Sequence, residues 1–380
     1  MHHSQRDRTR ELLRSRGIDR ALFANFFSVK WLTGVALPIQ VGPNFFAGGP
    51  PVVWYDDGHF TLILIDSYAG EAAAFDREAD GSVVTYLGYT IEQPIAGAAQ
   101  LTAAFRQVLA QSVVGRGSIG LEQGDATVLL QNELRDTLPG IGELVPIDGW
   151  LEPLRMVKTD EEIAKLRDNF ALTDLGHAAA RRAVAVGKRE IDVWTEIHDV
   201  IQQAAGHRVA LGNDCVVGYR QSNMGGWPLD YEIRESSTLI VDLSTILYGY
   251  WSDSCATYYP REPTPQQIAM HRTVAETLEF AISLIRPGAV AREIDQKVRQ
   301  FIADAGYPVY PHHTGHGVGV MGHEGPRLVP YNDEVLAENM VILLEPGIYF
   351  PGETGVRLED AVLVTSDGAE VLTHHDKSLP

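Results

Sequence analysis

Cysteine is nearly absent from this chain of 380 residues: only Cys215 and Cys255 occur. Two thiols cannot build a disulfide framework or a cysteine-rich zinc site, and their scarcity fits a reducing compartment. Long hydrophobic runs are also missing. Leu62-Ile63-Leu64-Ile65 and Met340-Val341-Ile342-Leu343-Leu344 have strand length, well short of the roughly 20 residues that a membrane helix needs. Positive charge is in short supply, with 31 Lys and Arg against 50 Asp and Glu and a formal net charge of −19. That balance excludes a binder of nucleic-acid backbones or anionic membranes and favours solubility. The N-terminus enters charge by Arg6-Asp7-Arg8 with no apolar leader, so no signal peptide is expected. The expectation is a soluble, cytoplasmic protein. His2 and His3 read as a cloning remnant and take no part in function.

With 45% hydrophobic residues, the chain can build two cores, and its length exceeds one ordinary domain. Residues 1–150 alternate short helices and strands. A charged helix over Arg6 to Arg16 ends at Gly17. Strands follow over Ile18 to Ala24, Pro51 to Tyr55 and Phe60 to Ile65, with a turn at Asp57-Gly58. The expectation is an α/β N-terminal domain without concentrated chemistry. The character changes near Trp150 to Arg155, and residues 151–380 read as a second, α+β domain. There Thr159 caps an Ala-rich helix with Glu162 three residues on, and a second helix spans Ile191 to Ala205. A third opens at Thr264-Pro265 and ends at Arg286-Pro287-Gly288, and a fourth follows Ala291. Strands are expected over Asp214 to Val217, Ser237 to Leu243, Tyr248 to Thr257, Val341 to Tyr349 and Val356 to Thr365.

Five residues of the second domain carry the chemistry: Asp242, Asp253, His316, Glu345 and Glu359. Asp242 and Asp253 lie 11 apart (253 − 242) on two strands joined near Leu247-Tyr248, and a tight turn there sets them opposite each other on one face. Glu345 and Glu359 repeat the arrangement 14 apart (359 − 345), around Phe350 to Gly355. Two acidic pairs facing each other in a poorly hydrated cleft repel by several kcal/mol unless cations sit between them. Glycines on both sides of His316 bring its backbone close to neighbouring strands, and its imidazole adds one nitrogen. Four carboxylates and one imidazole suit a pair of divalent ions (Mn²⁺, Co²⁺, Fe²⁺ or Zn²⁺) better than one closed structural zinc. Such a pair can hold a bridging hydroxide and clamp a carbonyl. His312, His313 and His323 compete for the acid–base and substrate roles, with His323 placed to hydrogen-bond a tetrahedral intermediate.

Two signals are spurious. Gly317 to Gly322 matches a dinucleotide-binding glycine pattern, but Pro326 and Pro330 follow and no helical period appears. His323-Glu324 begins like a zinc-protease helix, yet Arg327 stands where the second histidine belongs.

These residues together resemble the pita-bread metallopeptidase family, which includes methionine aminopeptidase, aminopeptidase P and prolidase. Leu154 to Lys158 with Glu161-Glu162-Ile163 is similar to the opening of the catalytic domain in the aminopeptidase P and prolidase branch, and Val29 to Gly34 to its N-terminal domain. The resemblance implies a creatinase-type N-terminal domain, a pita-bread catalytic domain and a homodimer. It implies that Asp253 and Glu359 bridge two ions, that Asp242 holds one, and that His316 and Glu345 hold the other. Glu345 would also handle the proton of the bridging water, and His323 would steady the substrate carbonyl. His312 matches a substrate-side histidine and Arg357 an arginine behind the site.

The chain departs from the family upstream of Asp242, where family peptidases carry another histidine that contacts the scissile-nitrogen side of the substrate. No histidine occurs between Arg208 and Met270 here, and the segment reads Ser222 to Asp230, so Trp227 or Tyr219 is expected to shape the pocket. Ser244 and Cys255-Ala256 are smaller departures. The leading reading is a dinuclear metallopeptidase that cleaves the Xaa-Pro bond of dipeptides or short peptides. The alternatives are a metal-dependent hydrolase or lyase of the same fold acting on a non-peptide small molecule, and a non-catalytic protein-binding module.

Overall fold

The computed structural model describes residues 3–37, 49–112, 117–138, 141–220 and 225–380, so Ser222, Asn223 and Met224 of the departing segment lie outside the described residues. The chain divides into two compact units, Met1–Leu154 and Arg155–Pro380. No described helix is long and apolar enough to cross a membrane.

The first unit holds a six-stranded sheet in the order β4-β3-β2-β1-β5-β6. Its strands are β1 (Arg20–Phe23), β2 (Val52–Asp56), β3 (His59–Ile65), β4 (Gly81–Tyr86), β5 (Ile119–Leu121) and β6 (Leu144–Pro146). Helix α1 (His3–Ser15) stops before Gly17, whose φ of +68° is left-handed. Asp57 and Gly58 both take positive φ in the two-residue hairpin that pairs Asp56 with His59. Helices α2 (Phe26–Thr33), α3 (Gly97–Leu109) and α4 (Val128–Thr137) are the longer helices that follow α1 in the unit. Leu101, Phe105 and Leu130 pack with Leu22, Trp54, Ile63 and Ile119, the alternate residues of one sheet face.

In the second unit, α5 (Asp160–Ala183) begins with the expected capping box of Thr159 and Glu162, and α6 (Glu190–Ala205) follows. Helix α7 (Pro265–Ser283) starts at the Thr264 cap with proline in its first turn, and α8 (Ala291–Asp304) comes next. Helix α7 stops at Ser283, short of the expected Arg286-Pro287-Gly288. Strands β7 (Ala210–Val217), β8 (Leu239–Leu247), β9 (Tyr250–Trp251) and β10 (Ser254–Tyr258) form one sheet in the order β10-β8-β7, with β9 on β8. The others are β11 (Gly315–Gly317), β12 (Glu324–Leu328), β13 (Val341–Leu344), β14 (Gly347–Phe350), β15 (Thr354–Arg357), β16 (Asp360–Val364) and β17 (Ala369–Val371). They give a sheet in the order β12-β11-β13-β16-β17 and a β14-β15 pair.

Strand alternation sorts the two faces. Val217, Val241, Leu243 and Ala256 pack under α5 and α6 with Val193, Ile197 and Ile201. Val216, Ile240, Cys255, Ile342 and Leu344 face the other way, with Met270, Leu278, Val298 and Ile302 of α7 and α8. The candidate acids continue this second set: Asp242 stands two residues beyond Ile240, and Asp253 two before Cys255.

Three expected strands are each split in two. Of the four candidate carboxylates only Asp242 lies within a strand; Asp253, Glu345 and Glu359 occupy the breaks β9/β10, β13/β14 and β15/β16. Pro346 has no N–H to continue the ladder after Glu345, and a break frees a side chain from strict alternation.

The C-terminal tail is tied down by a histidine pair. His375 stacks on His177 of α5 with ring centroids 4.0 Å apart. His177 Nδ1 lies 3.0 Å from the Tyr258 hydroxyl and Nε2 3.0 Å from Ser254 Oγ. Asp174 accepts from the backbone N–H of His374 and His375. Burial pushes the His177 imidazole well below its ordinary range and that of His375 down to about 3. Both are therefore neutral when folded, whereas each takes a proton near pH ~6.5 when unfolded. Their share of stability is whole above that pH and is lost as the pH falls, by up to about 1.4 kcal/mol per unit for each ring. Melting of the wild type from pH 7.5 to 5.5 is expected to show this acid slope, and His375→Asn a shallower one; identical slopes would refute the assignment.

Candidate metal centre

A cavity of about 360 Å³ in the second unit is lined by Asp242, Asp253, His312, His316, His323, Glu345, Arg357 and Glu359, with Asp214, Ser244, Trp251, His313 and Gly322. All of the sequence-derived candidates meet there except Trp227 and Tyr219.

The aspartates reach one face by a different register from the one expected. The β8–β9 turn is Tyr248-Gly249, both with positive φ, one residue further along than Leu247-Tyr248. Asp242 therefore pairs with Cys255 and Leu243 with Ser254. Asp253 comes opposite Ser244, whose hydroxyl donates to its Oδ1 at 3.1 Å. Because Ser244 is two residues from Asp242, both acids still share a face, diagonally rather than directly opposed. The glutamates meet as expected: Gly347 pairs with Arg357 and Leu344 with Asp360, a register that aligns Glu345 with Glu359.

Backbone contacts draw the pieces together. Glu359 N–H donates to the Cys255 carbonyl at 2.9 Å, and Glu345 N–H donates to the Thr314 carbonyl at 3.0 Å. His316 Nδ1 lies 2.9 Å from the Gly317 carbonyl, an acceptor, so Nδ1 carries the proton. Its Nε2 lone pair is left facing Glu345 Oε1 at 3.6 Å and Asp253 Oδ2 at 3.8 Å. The His323 ring stacks on His316 at 3.9 Å.

His312 lies on the cavity wall with both nitrogens engaged, Nδ1 at 2.8 Å from the His313 carbonyl and Nε2 at 2.8 Å from the Tyr349 hydroxyl. Arg357 donates to Asp242 at 2.5 Å and to Asp214 at 3.3 Å.

The electrostatics are those of a site short of positive charge. Arg357 is the one permanent cation among the lining residues, facing five carboxyl groups. Burial, then Asp242, pushes Asp253 well above the carboxylate range; burial, then Asp253, does the same to Glu359. Asp214 is raised to about 6 by burial and Asp242. Burial also acts upward on Glu345, but the His313 hydrogen bond opposes it and Glu345 is held below its ordinary range. Burial lowers the imidazoles of His312 to about 4 and His316 to about 3. Glu359 Oε2 is buried without a hydrogen-bond partner among the described residues. Oxygen donors of Asp253 and Glu359 and a nitrogen of His316 lie within 4.8 Å of one another. Neutral imidazoles, an orphaned carboxylate oxygen and mutually repelling acids fit divalent cations.

Trp227 is a correction. It is 80% exposed and does not line the cavity, and its carbonyl accepts from Arg220 at 2.7 Å. Tyr219 turns away as well, donating to the Glu232 carbonyl. Trp227→Ala is expected to change kcat/KM less than about 2-fold, as for a surface substitution; a larger loss in a substrate panel would restore it to the pocket. Sequence reasoning missed Asp214, which pairs with Asp242 across β7 and β8. The departing segment returns against it at Gly225, where a Cβ would sit 1.6 Å from Asp214 Oδ2. The signal was available: Asp214 has the inward parity of Val216.

A family model described as Metallopeptidase family M24 matches residues 164–366, and one described as Creatinase/Prolidase N-terminal domain matches residues 5–157. An Xaa-Pro dipeptidase of Pyrococcus furiosus is 34% identical over 240 residues, 63% of this chain and 69% of that protein. The prolidase structure from Pyrococcus horikoshii superposes with a TM-score of 0.82 at 25% identity, covering 100% of both chains. An Xaa-Pro dipeptidase structure from Bacillus anthracis gives 0.81 at 26% identity, over 100% of this chain and 99% of that one.

Proposed function

The chain belongs to metallopeptidase family M24, and from that premise we propose that it hydrolyses the Xaa-Pro bond of dipeptides or short peptides, with two divalent cations seated among Asp242, Asp253, His316, Glu345 and Glu359. The observation that carries this reading is the convergence of those five side chains on one cavity, with an orphaned Glu359 oxygen among them. The Xaa-Pro dipeptidases of Pyrococcus furiosus and Bacillus anthracis support the substrate class. When bound, the cations would polarise a carbonyl and make water nucleophilic near neutral pH.

The remaining work falls to the chain. In this reading Asp242, Asp253 and Glu359 would hold one cation, and Asp253, Glu359, His316 Nε2 and Glu345 would hold the other. Glu345, kept ionised beside His313, accepts the proton of the attacking water. His323, stacked on His316, donates to the substrate carbonyl as negative charge grows there. His312, held by the Tyr349 hydroxyl, walls the substrate side, and Arg357 fixes the Asp242 carboxylate. A cavity of about 360 Å³ is at the small end of ligand sites and suits a dipeptide or tripeptide. The relatives named above do not favour the non-peptide enzyme or the non-catalytic module.

The test is hydrolysis of Xaa-Pro dipeptides and tripeptides by metal-stripped protein, with Mn²⁺, Co²⁺, Zn²⁺ or Fe²⁺ restored singly. Turnover that returns only with metal is expected, and metal uptake without cleavage would overturn the peptidase assignment. The same reading carries a homodimer in a cytoplasmic setting, for which light scattering should give twice 41.8 kDa.

A further inference from the structure

Resting on the dinuclear reading above, we propose that His313 is an additional metal ligand, which gives the cation beside His316 and Glu345 a second imidazole and a preference for Zn²⁺ or Co²⁺ over Mn²⁺. His313 is not among the five residues that the sequence pattern marked. The structure nonetheless brings its Nε2 to 2.7 Å from Glu345 Oε1, the same oxygen that faces His316 Nε2 at 3.6 Å. Two ligands each about 2.1 Å from one ion stand roughly 3 Å apart, so a cation could replace the proton between His313 and Glu345 with little movement. Ring nitrogens of His313, His316 and His323 lie within 4.8 Å of one another.

The neighbouring imidazole is not equivalent. His312 has both nitrogens committed, to the His313 carbonyl and to Tyr349. Arg299 of α8 donates to the His312 carbonyl at 2.5 Å and is itself held by Asp295, so the backbone that presents the His313 ring is anchored. The site is thereby asymmetric. With Asp253 and Glu359 shared, Asp242 adds only oxygen at one end, and His313, His316 and Glu345 add two nitrogens and an oxygen at the other. Imidazole ligands favour Zn²⁺ and Co²⁺, whereas carboxylates accommodate Mn²⁺.

The test is direct metal binding to metal-stripped protein, by calorimetry with Zn²⁺ and Mn²⁺ separately and by the visible spectrum of bound Co²⁺. His313→Gln keeps a hydrogen-bond donor for Glu345 but removes the imidazole, and it decides the matter if His313→Ala does not fold. The expected result is Zn²⁺ affinity weakened at least about 10-fold at one of two sites, a smaller change for Mn²⁺, and a shifted Co²⁺ spectrum. Two ions bound by wild type and His313→Gln with equal affinities and spectra would overturn the ligand role while leaving the peptidase reading intact. No uptake by the wild type would overturn both.

Discussion

Asp253→Asn and Glu359→Gln are expected to abolish most turnover and, in metal-stripped protein, to raise the melting temperature. The two effects have one cause. Burial and neighbouring acids hold both carboxyls well above their ordinary range, so the metal-free folded state keeps protons that the unfolded chain releases near pH ~4. Each therefore destabilises the metal-free fold progressively as the pH rises above that value, by up to about 1.4 kcal/mol per unit until its folded pKa is reached. An amide has no such cost, and in Glu359→Gln it sits where a carboxylate oxygen has no hydrogen-bond partner. The stabilisation should thus be larger at pH 8 than at pH 5. Activity should fall about 10²–10³-fold, the scale on which removing one preorganised polar group acts. Wild type should recover stability on adding metal, by about 2.7 kcal/mol at 100 times the dissociation constant, and the variants should recover much less. Variants that melt lower than wild type without metal, or that keep wild-type turnover, would sink the account.

The site was legible in the sequence to the extent that chemistry writes itself into local pattern. Carboxylates inside apolar runs, as at Leu344-Glu345-Pro346, have no reason to be there without partners, and the five candidates do meet in one cavity. Capping chemistry was equally readable, since the boxes at Thr159 and Thr264 are satisfied within four residues of chain. What escaped depended on register and on long-range return of the chain. One residue of error at the Tyr248-Gly249 turn moved Asp253 from opposite Asp242 to opposite Ser244, and only the even spacing preserved the shared face. The breaks beside Asp253, Glu345 and Glu359 look like continuous strands in a hydrophobicity pattern because the residues on both sides are apolar. Trp227 was drawn to the pocket by its place in the departing segment, but exposure is decided by how the loop folds back, and here Gly225 meets Asp214 instead. Asp214 itself looks like one acid among 50 until β7 pairs with β8.

Gly315→Ala is expected to damage stability and metal binding together, although it touches no ligand atom. A Cβ at Gly315 would stand 2.0 Å from the Leu343 carbonyl oxygen, and one at Gly317 would stand 2.1 Å from that of Gly325. Both obstacles are backbone atoms in paired strands, and neither can swing aside like a side-chain end. Strand β11 would have to separate from β13, whose register sets Gly315 against Leu344 and His316 against Leu343. Overpacking of this kind costs about 1–3 kcal/mol. The displaced residue is His316, whose Nε2 must stay near Glu345 and Asp253 for the three to share a cation. Metal affinity should therefore drop at least about 10-fold alongside the melting temperature, since ligand orientation acts on that scale. Gly368→Ala is the control: a Cβ there meets nothing within 4 Å, so stability and metal affinity should match wild type. If Gly315→Ala kept wild-type metal affinity, His316 would not be held in place by the close approach of these strands, and the rigidity assigned to β11 would be wrong.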